Sequence, residues 1–401
     1  MASVLSTIET SASPVIHDMG LIEGVLEPMY AGYPAYLMAP EAFLQRPLRW
    51  LRAITHYRGT NSGGPNFAYD LCVRKITPAQ RATLDLSSWR CAYNGAEPIR
   101  RDTHVRFHEV FQPAGFQWTS LFPVYGLAES TLLVTSGTRT DAPVSCNGDT
   151  LALREGRLVA RGHDDVPAIP LVACGKAWCG TDVRIVDPET HVSCAAGRVG
   201  EIWIASPSVA QGYWRRPEQT ALAFGAMLAG GEGPYLRTGD LGAMLDGELF
   251  VTGRIKDLLI VRGAKHYPQD LERTAELHGG VIRAGCCAAF TVDGAEGEVI
   301  ALAAEVDLRQ LQGDRSEQLA RVATAVRRAV MEQHGIPLHA VVLLNAGAMP
   351  KTTSGKLQRH ACSSAFAART LDELHRWTQP GSVVPIHAGF TRPAFAMESA
   401  S

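Results

Sequence analysis

Five short segments carry residues whose types and spacing suit them to nucleotide chemistry. The first is Phe122-Pro-Val-Tyr-Gly-Leu-Ala-Glu129. The face of Tyr125 can stack on a base, Gly126 permits close backbone approach, and Glu129 is a hard oxygen ligand suited to Mg²⁺. Alone, it reads equally well as a buried tyrosine beside a solvated glutamate. The second is Asn94-Gly-Ala-Glu-Pro98, a turn whose backbone could edge a purine ring. The third is Tyr235-Leu-Arg-Thr-Gly-Asp-Leu241. Its Asp240 follows a glycine turn and could accept both hydroxyls of a ribose, as acidic residues do in dinucleotide folds. An Asx-type turn between strands is the plainer alternative.

The fourth segment, Val251-Thr-Gly-Arg-Ile-Lys-Asp-Leu-Leu-Ile-Val-Arg-Gly263, gathers charge and glycine at a change of texture. A hinge needs that composition, though a solvated linker would share it. The fifth, Met349-Pro-Lys-Thr-Thr-Ser-Gly-Lys-Leu-Gln-Arg359, is a small-residue loop bearing Lys356 as a point charge. It is not a phosphate-binding P-loop. Pro350 stands where the first glycine of that motif belongs, and Leu357 follows Lys356 in place of Ser or Thr.

These segments need elements to hold them. Met1–Pro14 is Ser/Thr-rich and unpatterned, which predicts a disordered tail over residues 1–14. Residues 15–145 alternate helical and strand-like pieces, as α/β layering would. Within them Phe43–Tyr57 reads as one amphipathic helix and Leu121–Tyr125 as a strand entering a loop. Residues 146–252 hold short β-rich runs such as Asp182–Val186 and Glu201–Ala205 between Gly/Pro/Asp turns, suggesting a small barrel or sandwich. From residue 253 to 380 the strand candidates are Leu258–Val261, Cys287–Val292, Val299–Ala304 and Ala340–Leu344. Leu319, Val322, Val326 and Val330 share one helical face, closed by Gly335 and Pro337, so this part reads as an α+β domain. Residues 381–401 read as a loose tail.

Composition narrows the class. The 401 residues are 46% apolar and 19% charged, with net charge 38 − 40 = −2. This is ordinary for a globular protein and gives no basic excess for nucleic acid. No run is apolar and long enough for a membrane span. The nine cysteines are odd in number and include no C-x-x-C pair, which reads as reduced thiols in a cytoplasm.

In this order the five segments resemble the acyl-adenylate-forming superfamily. More narrowly they look like its fatty-acyl-AMP ligases. The narrower likeness is carried by His17-Asp-Met-Gly-Leu-Ile22, Phe43-Leu-Gln-Arg-Pro-Leu-Arg-Trp50, Ser62–Arg74, Leu84–Trp89, Pro207–Trp214 and His266-Tyr-Pro-Gln-Asp270. It implies a partial large adenylating domain, α/β layers plus a β-barrel, followed by a small mobile α+β domain. The implied reaction joins a fatty acid to ATP, giving acyl-AMP, and then passes the acyl group to the phosphopantetheine thiol of an acyl carrier protein. By resemblance Tyr125 stacks on adenine, with Asn94, Gly95, Ala96 and Glu97 along its edge and Gly126 beside it. Asp240 holds the ribose, Arg254 supports the ribose or phosphate side and Glu129 binds Mg²⁺. Lys356 bridges carboxylate and α-phosphate, Lys256 marks the hinge, and His17 with Gly63, Gly64 and Pro65 lies by the acyl pocket. Residues 146–172 look like the insert such ligases carry.

One part of the family pattern has no counterpart. The family's Ser/Thr/Gly-rich loop ending in Pro-Lys, which grips the outer phosphates, matches no segment here. The resemblance therefore implies an N-terminally truncated ligase, exposed apolar surface on the remaining half-domain, and a companion polypeptide to cover it. Two alternatives stand beside the ligase: an acyl-CoA synthetase, and an inactive fragment serving as a binding or docking module.

Overall fold

The computed structural model describes residues 7–162, 168–261, 263–294, 297–352 and 356–379. The expected tail at 381–401, His163–Val166 of the insert and Thr353-Ser354-Gly355 of the fifth segment lie outside these. The chain is a mixed α/β and α+β protein in two compact units. One comprises residues 7–149, 157–162 and Ala168–Thr252; the other comprises Thr150–Gly156 with 253–379.

The first unit opens with strands β1 (Glu9–Ser11), β2 (Ala35–Leu37), β3 (Asn61–Gly63), β4 (Cys91–Asn94), β5 (Leu121–Leu127) and β6 (Leu132–Ser136). Next, β7 (Ser145–Asp149), β8 (Ala160–Arg161) and β9 (Ala168–Val172) form a sheet in the order β8-β7-β9, and β10 (Lys176–Ala177) returns to the first sheet. That sheet has seven strands in the order β10-β6-β5-β4-β3-β1-β2. From β2 to β5 its neighbours are parallel, while β6 and β10 run antiparallel. Helices Leu48–Tyr57, Asn66–Lys75 and Arg101–Phe111 contribute to a core that includes Trp50, Tyr69, Trp89, Phe107 and Phe116. Both indole N–H groups find partners: Trp50 donates to Ser62 Oγ at 2.8 Å and Trp89 to the Ser62 carbonyl at 3.1 Å. A four-stranded sheet of β11 (Asp182–Val186), β12 (Gly200–Ala205), β13 (Leu236–Leu245) and β14 (Glu248–Arg254) follows.

Two expectations need correction. Residues 9–11 are not part of a disordered tail. They form β1, buried between β2 and β3. Glu-Thr-Ser has no apolar pattern, so the strand is invisible locally; its register comes from segments some 25 and 50 residues away. The single helix expected at Phe43–Tyr57 is two, Pro40–Gln45 and Leu48–Tyr57. Pro47 pushes Arg46 out of the helical region, to φ −147° and ψ 84°. The exposed apolar surface is present: Ile16 is 85% exposed, Met29 77% and Tyr30 96%, with Leu26 and Leu37 exposed near them in sequence.

Burial of β1 has an electrostatic consequence. Glu9 accepts hydrogen bonds from Asn61 Nδ2 at 2.6 Å and from the Tyr93 hydroxyl at 3.3 Å. Burial raises its carboxyl well above the usual range, with a push from Glu23. Glu23 is itself raised from 4.5 to about 8, chiefly by burial. Such a carboxyl stays protonated in the folded state while the unfolded chain ionises. Stability is therefore full below about pH 4.5 and falls as pH rises toward 8, by up to about 1.4 kcal/mol per pH unit for one proton. Melting curves from pH 5 to 8 should show this decline, and Glu23→Gln should flatten it. Equal slopes in the two proteins would contradict the assignment.

The second unit holds a hairpin, β15 (Leu259–Val261) with β16 (Ala264–His266), and a sheet of β17 (Ile282–Gly294), β18 (Gly297–Val306), β19 (Leu338–Leu344) and β20 (Glu373–Thr378). Alternate residues face opposite sides. Cys287, Ala289, Leu302 and Val341 pack with Leu271, Leu319, Val326 and Val330 of helices Pro268–His278 and Arg315–His334. Ala288, Phe290, Ala303 and Val342 pack with Cys362 and Phe366 of helix Arg359–Ala367. All nine cysteines are free. Among the described residues no helix is long and apolar enough to cross a membrane.

Candidate functional site

The parallel strands β3, β4 and β5 run in one direction, so their carboxyl ends share one edge of the sheet. In open α/β sheets that edge is where ligands bind. Four of the sequence-derived groups arrive there. Gly63 ends β3, Asn94 ends β4, and Tyr125 and Gly126 lie near the end of β5. A Cβ on Gly63 would lie 2.0 Å from the Tyr93 carbonyl oxygen, which also accepts the Gly64 N–H at 3.0 Å. Only glycine fits at that approach.

The turn after β4 is held from below. Asn66, the first residue of the helix that follows Pro65, donates through Nδ2 to the Pro98 carbonyl at 2.9 Å. Its Oδ1 accepts from Arg100 N at 3.1 Å and Asn94 Nδ2 at 3.4 Å. Gly95 presses on Val124, Ala96 takes φ +69°, and Glu97 is exposed. Asn94 is fully buried, and its Oδ1 has no hydrogen-bond partner among the described residues. An orphaned acceptor at this edge suits a donor on a ligand, such as the exocyclic amine of a purine.

Tyr125 is buried, and its hydroxyl donates to Asp240 Oδ2 at 2.8 Å. This bond joins the first and third motifs across 115 residues of chain. Asp240 sits within strand β13, where a bulge interrupts the pairing with β12. Gly239 adopts φ +70° there, which favours glycine. Glu201 splints the bulge: Oε1 accepts from Gly239 N at 3.1 Å, and Oε2 accepts from Trp203 Nε1 at 2.9 Å and Arg237 Nε at 3.0 Å. Glu201→Gln keeps the shape but weakens the charge-assisted bonds. It should lower unfolding stability by about 1 kcal/mol, read by chemical denaturation. No change would mean that Glu201 is a bystander.

Gly126 lies beside the partner strand. A Cβ there would meet the Leu132 carbonyl oxygen at 1.7 Å. Three residues on, Glu129 occupies a short 3-10 turn and accepts the Tyr213 hydroxyl at 2.7 Å, while its own carbonyl accepts Ala210 N at 2.8 Å. Glu129 thus binds the first motif to the Pro207–Trp214 segment. A lone carboxylate matches Mg²⁺, which keeps several waters and takes one or two carboxylates alongside substrate phosphates. Among the described residues His17 makes no hydrogen bond or ion pair with this set. It occupies the N-cap position of helix Asp18–Leu21 without a side-chain capping bond, and its Nδ1 faces the Asp18 carboxylate.

The remaining sequence-derived groups lie in the second unit. Arg254 ends β14, Lys256 follows in the 3-10 turn Ile255–Asp257, and both are exposed. Lys356 is exposed as well. Its backbone N–H donates to Thr352 Oγ1 at 3.1 Å and its carbonyl accepts Thr352 N at 2.9 Å. Below this loop Arg359 grips Glu272 through two bonds of 2.7 and 2.8 Å and Asp257 through one of 2.8 Å. The segments bearing Lys256 and Lys356 therefore share one frame. Asn66, Glu201, Tyr213, Glu272 and Arg359 were not singled out from sequence. Asn66, Tyr213 and Arg359 lie inside motifs that drew attention, and a polar residue in an otherwise apolar setting was the available signal.

Known proteins resemble this chain over most of its length. The AMP-binding enzyme family model matches residues 6–214, more than half of the chain, and the model for the AMP domain of Disco-interacting protein 2-like proteins matches residues 256–376. The chain is 45% identical over 370 residues to the medium-chain-fatty-acid–[acyl-carrier-protein] ligase JamA of Moorena producens, covering 92% of this chain and 62% of that protein. It is 40% identical over 370 residues to 4-hydroxyphenylalkanoate adenylyltransferase of Mycobacterium marinum, covering 90% of this chain and 58% of the relative. A solved structure from a study of fatty acyl-adenylate ligases of E. coli and L. pneumophila superposes with a TM-score of 0.80 at 34% identity, over 90% of this chain and 64% of that one. The chain thus spans about three fifths of the length of the relatives it matches. From the matched residues and the shared fold together, this chain belongs to the AMP-binding enzyme family.

Proposed function

We propose that this chain activates a fatty acid as acyl-AMP and hands the acyl group to an acyl carrier protein. In the first step a carboxylate oxygen attacks the α-phosphorus of ATP, the bond to the β-phosphate oxygen breaks, and pyrophosphate leaves. In the second, the phosphopantetheine thiol attacks the acyl carbon, loses its proton, and AMP leaves. The observation that carries this reading is the hydrogen bond from Tyr125 to Asp240, made beside the Asn94 turn at the carboxyl edge of the parallel sheet.

This reading gives each side chain a role. The Tyr125 ring faces the base while its hydroxyl orients Asp240 toward the ribose, and residues 94–97 border the purine. Gly63, Gly64 and Pro65, with His17, line the acyl side. Glu129, steadied by Tyr213, would hold Mg²⁺, which neutralises phosphate charge. Arg254 supports the ribose or phosphate side. Lys356, on its pinned loop, supplies positive charge where negative charge develops. Lys256 serves as the hinge that lets the Lys356 loop approach and withdraw. JamA, named as an acyl-carrier-protein ligase, supports the carrier as acceptor. The companion polypeptide would meet the exposed surface around Met29 and Tyr30. The free cysteines support a cytoplasmic setting.

The test is ATP–pyrophosphate exchange on the purified protein, with and without a medium-chain fatty acid, followed by transfer to a holo-acyl carrier protein or to coenzyme A. Fatty-acid-dependent exchange and transfer to the carrier are expected. Transfer to coenzyme A alone would favour an acyl-CoA synthetase, and no exchange with any carboxylate would overturn the proposal.

A further inference from the structure

Lys356 carries its charge at the end of a flexible side chain, so its place depends on the loop beneath it. Both feet of that loop stand on buried carboxylates. At the leading foot, Met349 N donates to Glu305 Oε1 at 2.9 Å, and Arg283 Nη1 donates to Glu305 Oε2 at 2.6 Å. At the trailing foot, Arg359 donates through Nε to Glu272 Oε1 at 2.7 Å and through Nη2 to Glu272 Oε2 at 2.8 Å. Glu305 is 2% exposed and Glu272 1%. Between the feet the loop is tied across itself, Thr352 N to the Lys356 carbonyl and Gln358 N to the Pro350 carbonyl.

The trailing foot has a further attachment. Arg359 Nη1 donates to Asp257 Oδ2 at 2.8 Å, and Asp257 ends the 3-10 turn that holds Lys256. Glu272 is itself fixed, because its Oε1 also accepts Ala289 N of β17 at 3.0 Å. A two-bond grip on a fixed carboxylate gives the planar guanidinium one direction. The third bond carries that direction to the turn. The Lys356 loop and the Lys256 turn, a hundred residues apart in the chain, thus meet on one side chain.

We propose that Arg359 is a positioning residue for acyl-adenylate formation. Held by Glu272, it sets the place of Lys356 and, through Asp257, keeps that place in register with the turn at Lys256. The proposal rests on the role given to Lys356 above. A group displaced by about 1 Å from its productive geometry can lose about 10²-fold in rate. A residue that acts only through Lys356 can therefore govern the rate.

The experiment compares ATP–pyrophosphate exchange in the full chain, Arg359→Gln, Lys356→Ala and the double variant, each with a medium-chain fatty acid. Arg359→Gln should slow exchange about tenfold or more at saturating ATP, with AMP affinity held within about twofold. In the Lys356→Ala background the same change should cost less than about twofold, since no charge is left to place. Arg359→Lys, which keeps the charge without the fork, should recover part of the rate. Equal losses in both backgrounds would make Arg359 a support of the fold alone and overturn the proposal. Arg359→Gln leaves a buried carboxylate without its partner. If it does not fold, Asp257→Asn takes its place, since the Glu272 grip stays intact. A few-fold loss is then expected with Lys356 present and none without it. Amide hydrogen exchange needs no turnover: the Thr352 and Gln358 N–H groups should exchange about tenfold faster in either variant, with β19 unchanged. A wild type without pyrophosphate exchange overturns the proposed reaction, and the amide measurement still judges the clamp. Unchanged protection at both amides, or an equal loss across β19, overturns it.

Discussion

Lys356→Ala should slow acyl-adenylate formation by about 10²–10³-fold, the usual effect of removing one preorganised positive or donor group from a charge-developing centre. The attack on the α-phosphorus gathers negative charge on phosphate oxygens, and a lysine ammonium is the compact cation for it. The substitution is well suited to kinetic reading. Lys356 is exposed, so its removal leaves the packing of the second unit intact. The loop is closed by the Thr352 bonds to the Lys356 backbone, by the bridge between Lys351 and Leu357, and by Gln358 N on the Pro350 carbonyl at 3.0 Å, all of which survive truncation of the side chain. Exchange assays should therefore lose rate while AMP affinity stays within about twofold. A parallel loss of AMP binding would place Lys356 in ground-state recognition instead.

Asp240→Ala should act the other way, through binding. The carboxylate is buried and accepts the Tyr125 hydroxyl. Hydrogen bonds to a charged group contribute about 1.5–3 kcal/mol each, and a ribose offers two hydroxyls, so AMP affinity should fall about 100-fold or more. Tyr125→Phe separates the two contributions. It keeps the ring and removes only the bond that orients Asp240, so its loss should be nearer tenfold. Titration calorimetry with AMP checks both. Equal, small effects would mean that the Tyr125–Asp240 pair is an internal strut and not part of a nucleotide site.

The contrast between what the sequence disclosed and what it hid has physical reasons. Strands of the second unit were legible because Cys287–Val292 and Ala340–Leu344 are apolar runs buried on both faces. The edge glycines and Asp240 were legible because few residue types tolerate those sites. β1 was not, since Glu-Thr-Ser draws its stability from distant strands. Pro47 was overlooked as a helix breaker because the apolar spacing on either side runs on in phase. The bulge at Gly239 could not be foreseen without Glu201, which reaches it from the neighbouring strand. The helix Thr150–Arg154, inside the stretch that resembles the ligases' insert, declares itself only through its packing on β16. Pro47 acts on its own neighbour Arg46; in the other cases the missing information lay in a partner far away in sequence, which local pattern cannot encode.

The central claim is that one chain binds the adenylate and the acyl group together. Calorimetric titration with a non-hydrolysable medium-chain acyl sulfamoyl adenosine tests it most directly, because that mimic needs no outer-phosphate contacts. Acyl-adenylate recognition predicts binding at least tenfold tighter than AMP, weakened by Asp240→Ala; affinity no greater than that of AMP, or none at all, would contradict it.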